Sequence, residues 1–115
     1  MHLRLALAAT AAAALVVPSV AGAALYGRVG PGPSISLKRA SGTTVTHVSP
    51  GSRTFVIRDR ASNHNFHLTG RGVDKRTGVA FVGRRKWRNI QLSSGTYRYI
   101  CDVHPSTMRG SFSVG

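Results

Sequence analysis

Short runs of alternating apolar and polar residues, separated by glycine, proline and serine, cover most of the chain after residue 34. No long stretch has the periodicity of an amphipathic helix, and alternation with period two is typical of half-buried strands. We predict strands at 35–38, 45–48, 54–59, 64–69, 79–82, 87–92, 96–101 and 111–114. This pattern predicts an all-β fold, a Greek-key β-sandwich of about seven or eight short strands.

The segments between these runs have the composition of turns and loops. Residues 24–33 contain several glycines and prolines and are predicted to be an irregular lead-in. Residues 70–78 are predicted to form a loop with Lys75 and Arg76 exposed, and residues 83–86 a basic turn. Residues 34–115 are then predicted to be one domain, without internal repeats.

The N-terminus has the pattern of a secretory signal peptide. Arg4 precedes an uncharged stretch rich in alanine and leucine, and Ala21-Gly22-Ala23 has the small residues of a cleavage site. We therefore predict that residues 1–23 are removed and that the protein is exported to the extracellular space, the cell envelope or the periplasm. The alternative, a transmembrane anchor, fits less well because Pro18 interrupts the stretch and small residues follow it. The exported domain would have no transmembrane span.

The chain is strongly basic, with 16 Lys and Arg residues, 3 acidic residues and a formal net charge of +13. Such a charge attracts anionic partners and steers association. Export argues against nucleic acid as the partner, so we expect an acidic redox protein or an anionic cell-envelope surface. The charge could instead serve solubility alone, or the protein could be a basic adhesive module.

Candidate metal chemistry is concentrated in Cys101-Asp102-Val103-His104-Pro105-Ser106-Thr107-Met108. This segment holds the only cysteine of the chain and its only methionine besides Met1. A thiolate, an imidazole and a thioether together suit copper, and a Cys/His/His site with a weak axial Met is the blue-copper arrangement. A single cysteine cannot form an internal disulfide, and metal ligation explains why an exported chain keeps one.

The second imidazole is expected from His64 or His67, which lie upstream in the predicted strand 64–69. In a strand, residues 64, 66 and 68 share one face. Because Phe66 and Leu68 are apolar, we expect that face to be the inner one. This alternation favours His64 as the candidate ligand and predicts that His67 is a solvated surface histidine.

Two other interpretations of the same residues are less favoured. Zinc also accepts three nitrogen and sulfur ligands, but its structural sites usually contain more cysteines, and Met108 would add little. A nucleophilic Cys101 paired with His104 would need a third group that orients the base, and a substrate cleft. Neither is evident in the sequence.

The second half of the chain resembles the cupredoxins, the small blue-copper proteins such as plastocyanin, pseudoazurin and amicyanin. The resemblance covers about residues 34–115 and rests on Gly95-Thr96-Tyr97-Arg98-Tyr99-Ile100-Cys101, the ligand loop and the closing segment 109–114. Upstream, Val48-Ser49-Pro50-Gly51 is similar to a family turn and His64-Asn65 to a family His-Asn pair. The Cys-x2-His spacing matches plastocyanin and amicyanin, whereas the His-x3-Met spacing matches neither.

The resemblance implies one type 1 copper ion, with His64, Cys101 and His104 as equatorial ligands and Met108 as the axial ligand. It implies that Asn65 joins the two ligand segments through hydrogen bonds, outside the ligand set. The function implied is that of a monomeric electron carrier with no catalytic residues, because no further histidine cluster is evident for a second copper centre. The alternative is an exported copper-binding protein for buffering, delivery or resistance.

Overall fold

The computed structural model describes residues 22–115, which form two stacked β-sheets. The nine strands of this part are β1 (Gly22–Val29), β2 (Ile35–Lys38), β3 (His47–Val48), β4 (Gly51–Asp59), β5 (His67–Gly70), β6 (Val73–Arg76), β7 (Gly83–Leu92), β8 (Gly95–Ile100) and β9 (Arg109–Val114). The predicted all-β sandwich is confirmed. Most of the predicted signal peptide lies outside the described residues, and its removal stays a prediction.

Both sheets combine antiparallel and parallel pairs. The four-stranded sheet has the order β2-β1-β4-β7, and β1 runs parallel to β4. The five-stranded sheet has the order β3-β9-β8-β5-β6, and β3 runs parallel to β9. Within residues 22–115, no helix is long and apolar enough to cross a membrane.

The core lies between the sheets and is rich in aromatic side chains. The Phe66 ring stacks on Tyr99 with a centroid distance of 5.4 Å, and Tyr97 stacks on Phe112 at the same distance. A Cβ on Gly110 would lie 2.3 Å from the Tyr99 ring, so only glycine allows that ring to lie against strand β9. The predicted inward faces of 96–101 and 111–114 are confirmed, since Tyr97, Tyr99, Cys101, Phe112 and Val114 are all buried.

The predicted irregular lead-in at 24–33 is wrong for its first part. Residues 22–29 form strand β1, in which Leu25 and Val29 are buried while Tyr26 and Arg28 point outward. Gly27 occupies the inward position between them and contributes no apolar side chain, which hides the alternation in the sequence. The sandwich therefore begins before residue 34, and β1 lies at the centre of the four-stranded sheet.

Three other local predictions are wrong. The predicted loop 70–78 contains β6, an edge strand whose Asp74, Lys75 and Arg76 are exposed. The predicted basic turn 83–86 is the first half of β7, another edge strand. Charged residues are common on edge strands because they oppose edge-to-edge pairing, so charge does not distinguish these strands from turns. The predicted strand 79–82 is irregular, and Val79 and Val82 are exposed.

Candidate metal centre

Three side chains predicted to bind a metal come together at one end of the sandwich. His64, Cys101 and His104 each place one potential ligand atom within 4.8 Å of the others. Cys101 Sγ lies 3.8 Å from His64 Nδ1 and 3.9 Å from His104 Nδ1. Nitrogen and sulfur ligands that share one metal ion at about 2.0–2.3 Å lie about 3.5–3.8 Å apart. The spacing and the donor set therefore fit a single soft metal ion.

The loop that carries Cys101, His104 and Met108 is closed by its own backbone. The Cys101 N–H donates to the Met108 carbonyl at 2.9 Å, and the Met108 N–H donates to the His104 carbonyl at 2.9 Å. The bond between Cys101 and Met108 joins the end of β8 to the start of β9, so the sheet fixes both ends of the loop. Met108 is completely buried in this loop, as Cys101 is.

Asn65 joins the two segments that carry the candidate ligands. Its Nδ2 donates to Asp102 Oδ2 at 2.7 Å and to the Thr77 carbonyl at 3.2 Å. Its Oδ1 accepts from the Asp102 N–H at 2.7 Å. Asn65 itself is 1% exposed, and its bond to the Thr77 carbonyl is fully buried. The predicted linking role of Asn65, next to His64, agrees with this geometry.

His67 takes part in the same linkage, and its prediction as a solvated surface histidine is wrong. Its side chain is 12% exposed, with Nδ1 2.7 Å from Asp102 Oδ1 and Nε2 2.6 Å from Asp74 Oδ1. Each ring nitrogen of His67 therefore contacts one carboxylate oxygen. We refer to Asn65, His67, Asp74 and Asp102 as the polar clamp.

The carboxylate of Asp102 is held in its charged form. Burial alone would raise the pKa of Asp102, but hydrogen bonds from Asn65 and His67 and the charges of His67 and Arg76 outweigh it and lower that pKa. Arg76 Nη1 lies 3.8 Å from Asp102 Oδ2. Asp102, the residue next to Cys101, therefore favours its charged form and holds the loop against β5 and β6.

The position of His64 does not follow from strand alternation. Strand β5 begins only at His67, and both His64 and Asn65 are buried in the preceding segment, which an alternating strand would not allow. Gly30, with φ of 72°, lies next to this segment, and a Cβ on it would lie 2.9 Å from Ala61 Cβ and 3.5 Å from His64 Cδ2. The close approach of the end of β1 therefore helps to enclose the His64 ring.

A carboxyl group lies buried on the same side of His64. Asp59 is 1% exposed, and its Oδ1 accepts from the Ala61 N–H at 3.0 Å. Burial raises the pKa of Asp59, although this hydrogen bond and the charge of His64 act against the increase. Asp59 is therefore a buried carboxyl group close enough to His64 to interact with it electrostatically, and the sequence analysis missed it.

The candidate centre reaches the surface through His104. His104 is partly exposed, whereas His64 and Cys101 are buried. The neighbouring Val103 is 48% exposed, and Pro105 is exposed on the other side. The edge of one candidate ligand is therefore accessible within a small apolar surface.

Solved structures of rusticyanin, a copper protein, have a similar fold. One aligns with a TM-score of 0.59 and 18% sequence identity, over 79% of this chain and 76% of that chain. Reduced rusticyanin aligns with a TM-score of 0.57 and 21% identity, over 79% and 77% of the two chains. No protein-family model matches the sequence, and no curated protein matches it. The resemblance to cupredoxins is confirmed at the level of the fold.

Proposed function

We propose that this protein is an exported blue-copper electron carrier that holds one copper ion on His64, Cys101, His104 and Met108. The observation that supports it most is that one buried thiol and two imidazoles, one of them buried, converge within 4.8 Å on a fold like that of a copper protein. A bound copper ion would supply one-electron chemistry. The protein's own residues would hold the ligands in a fixed geometry, keep water away from His64 and Cys101, and leave the edge of His104 exposed.

Each part of the site has a role in this proposal. Cys101 supplies the thiolate, and the two histidines supply the imidazole ligands. Met108 would supply a weak thioether donor, and the strength of such a donor affects the reduction potential. The polar clamp keeps the histidine segment and the ligand loop in place, because hydrogen bonds around a metal centre orient its ligands. His104 is the route for electrons, since it is the partly exposed candidate ligand.

The proposal is tested by adding Cu(II) to the purified, metal-free protein and recording visible absorption and EPR spectra. A thiolate–copper site gives an intense blue or green band, and one copper per chain should saturate it. Copper binding without that band would exclude the blue-copper site. A band that appears normally, in a protein that exchanges electrons only very slowly with small redox reagents, would favour copper buffering or delivery instead.

The two histidines of the 64–67 segment should behave differently. We expect His64→Ala to lose the thiolate–copper band, because it removes an imidazole whose Nδ1 lies 3.8 Å from the Cys101 sulfur. His67→Ala should retain the band but lower the free energy of unfolding, because it removes the ring that contacts both Asp102 and Asp74. The spectra and urea denaturation of both variants check this. His47→Ala is the control, since His47 bonds Ser113 on the sheet outside the site. Loss of the band in His67→Ala alone would reverse the assignment.

For the partner, we propose an acidic redox protein that approaches the His104 end. Lys75, Arg76 and the basic cluster of Arg84, Arg85, Lys86 and Arg88 are exposed. Gly83, the first residue of β7, pairs with Asp59, and Arg76, the last residue of β6, lies near Asp102. Both basic groups therefore lie near the end of the sandwich that carries the candidate centre. Exposed charges of this kind speed association and are screened beyond about 8–10 Å near physiological ionic strength.

We therefore expect electron exchange with an acidic redox protein to slow several-fold as salt rises. Neutralising the basic cluster to Gln should flatten this dependence, as measured by stopped-flow kinetics at several ionic strengths. The control removes the same charge elsewhere, by changing Arg39, Arg53, Arg71 and Arg98 to Gln. Equal effects of the two variants, or rates independent of salt in the wild type, would contradict a role of the cluster in docking.

A further inference from the structure

Three arginines lie side by side on the outer face of the four-stranded sheet. Arg28 of β1 is directly opposite Arg58 of β4, and Arg58 is directly opposite Arg84 of β7. All three are exposed. Neighbouring strands are about 4.8 Å apart, so the backbone positions of this arginine row repeat at that short spacing.

The arginine row forms part of a concave groove with a volume of about 510 Å³. Lys38 and Arg39 of the adjoining hairpin add two more cations, and Tyr26 and Val56 supply apolar contact area. Within residues 22–115, the ion pairs all involve Asp74 or Asp102, and neither of these carboxylates lines the groove. Asp59 follows Arg58 in sequence but is buried. The groove therefore combines five cations without a carboxylate side chain.

Such an arrangement is unfavourable for the isolated protein. Like charges directly opposite each other on neighbouring strands destabilise a sheet. General solubility requires only dispersed charge, and it does not require three guanidinium groups in register. An anionic ligand would turn this repulsion into attraction, and it would stabilise the folded protein by mass action.

We propose that this groove binds a linear polyphosphate chain. The planar guanidinium group donates two parallel hydrogen bonds to phosphate oxygens, which makes arginine well suited to phosphate. In polyphosphate, neighbouring phosphates share a bridging oxygen, so every repeating unit carries charge at short spacing. A chain laid across the strands would meet one arginine at each strand. No residue of the groove belongs to the candidate metal centre, and only Arg84 is shared with the basic cluster proposed for docking of the redox partner.

The spacing favours polyphosphate over an acidic peptide. In an extended peptide, side chains on one face repeat every second residue, or about every 6.6 Å. This distance exceeds the spacing of about 4.8 Å between strands, so consecutive carboxylates would not match consecutive arginines. Phosphodiester backbones also separate their phosphates by several bonds. The charged units of polyphosphate are closer together than the strands, so a single chain can place a phosphate at each arginine.

The test measures binding of inorganic polyphosphate by calorimetry at several salt concentrations. We expect saturable binding to the wild type. Changing Arg28, Arg58 and Arg84 to Gln should weaken it at least about 30-fold, because three charge-assisted contacts are lost. The slope of log affinity against log salt should become shallower by about 2, as expected for three fewer contacts with a single-stranded polyanion.

The matched control changes Arg71, Arg98 and Arg109 to Gln, which removes the same charge from the part of the molecule built on the other sheet. We expect it to weaken binding less than threefold. Equal weakening by both triple variants would show attraction to overall charge and would overturn the proposal. It would also be overturned if orthophosphate, poly-glutamate or a single-stranded oligonucleotide of equal charge bound the wild type as tightly as polyphosphate does.

Thermal unfolding, measured with and without polyphosphate, distinguishes an effect on binding from an effect on folding. Without ligand, the Arg28/Arg58/Arg84 variant should unfold at a higher temperature than the wild type, because the repulsion within the row is removed. Polyphosphate should raise the unfolding temperature of the wild type and of the control variant, and leave the row variant nearly unchanged. Equal stabilisation of all three proteins would contradict a site at the arginine row.

Discussion

Cys101→Ser is expected to abolish the intense visible band that the protein develops with Cu(II). The band requires a thiolate bound to copper, and Cys101 is the only cysteine of the chain. The serine hydroxyl is smaller than the thiol but takes the same position on Cβ, so the site should nearly keep its shape while losing the sulfur. Residual copper bound to His64 and His104 should give only the weak absorption and wide hyperfine splitting of an ordinary Cu(II) complex.

Two controls make this result specific. Ser106→Ala changes an exposed residue of the same loop and should keep the full band. The near-ultraviolet circular dichroism of metal-free Cys101→Ser should match that of the wild type, which shows that the core is folded. A band of normal intensity in folded Cys101→Ser would disprove a thiolate–copper site.

Asn65→Ala is expected to lower the free energy of unfolding of the metal-free protein by about 3 kcal/mol, because each buried polar group left without a partner costs about 1–3 kcal/mol. The substitution leaves the Asp102 N–H, Asp102 Oδ2 and the Thr77 carbonyl without their Asn65 partners. Copper affinity should also fall about 10–100-fold, which is typical when groups that orient metal ligands are removed.

The matched control for this prediction is Asn63→Ala. Asn63 lies two residues earlier and is exposed, so its loss should change the free energy of unfolding by less than about 0.5 kcal/mol. Urea denaturation and competitive copper titration measure both effects. If Asn65→Ala and Asn63→Ala were equally stable and bound copper equally well, the polar clamp would have no role in holding the site.

The fold was predictable from the sequence where strands have one buried and one exposed face. Segments 96–101 and 111–114 follow this alternation, and both are buried on the expected side. Strands β1, β6 and β7 break it in different ways. Gly27 leaves an inward position of β1 empty, and the charges of β6 and β7 reflect edge positions, which only the order of the strands reveals.

The sequence predicted which side chains lie together at the candidate centre, but it predicted less well how the backbone brings them there. The rarity of cysteine and methionine pointed to residues 101–108, and His64 was chosen for a strand alternation that the structure does not have. In the structure His64 nevertheless lies beside Cys101, because Asn65 holds this segment to the ligand loop. The partnership of His67 with Asp102 could not be predicted, since it depends on the pairing of β5 with β8.

Strand β9 determines when the site can form during synthesis of the chain. It follows the ligand loop, contributes 6 residues and lies between β8 and β3 within the five-stranded sheet. A nascent chain that lacks these residues contains all four candidate ligands, but its loop is fixed only on the β8 side. Contacts between distant segments also form slowly during folding. Metal capture should therefore follow synthesis of β9, and a truncation after Met108 should remove metal binding although it deletes no candidate ligand.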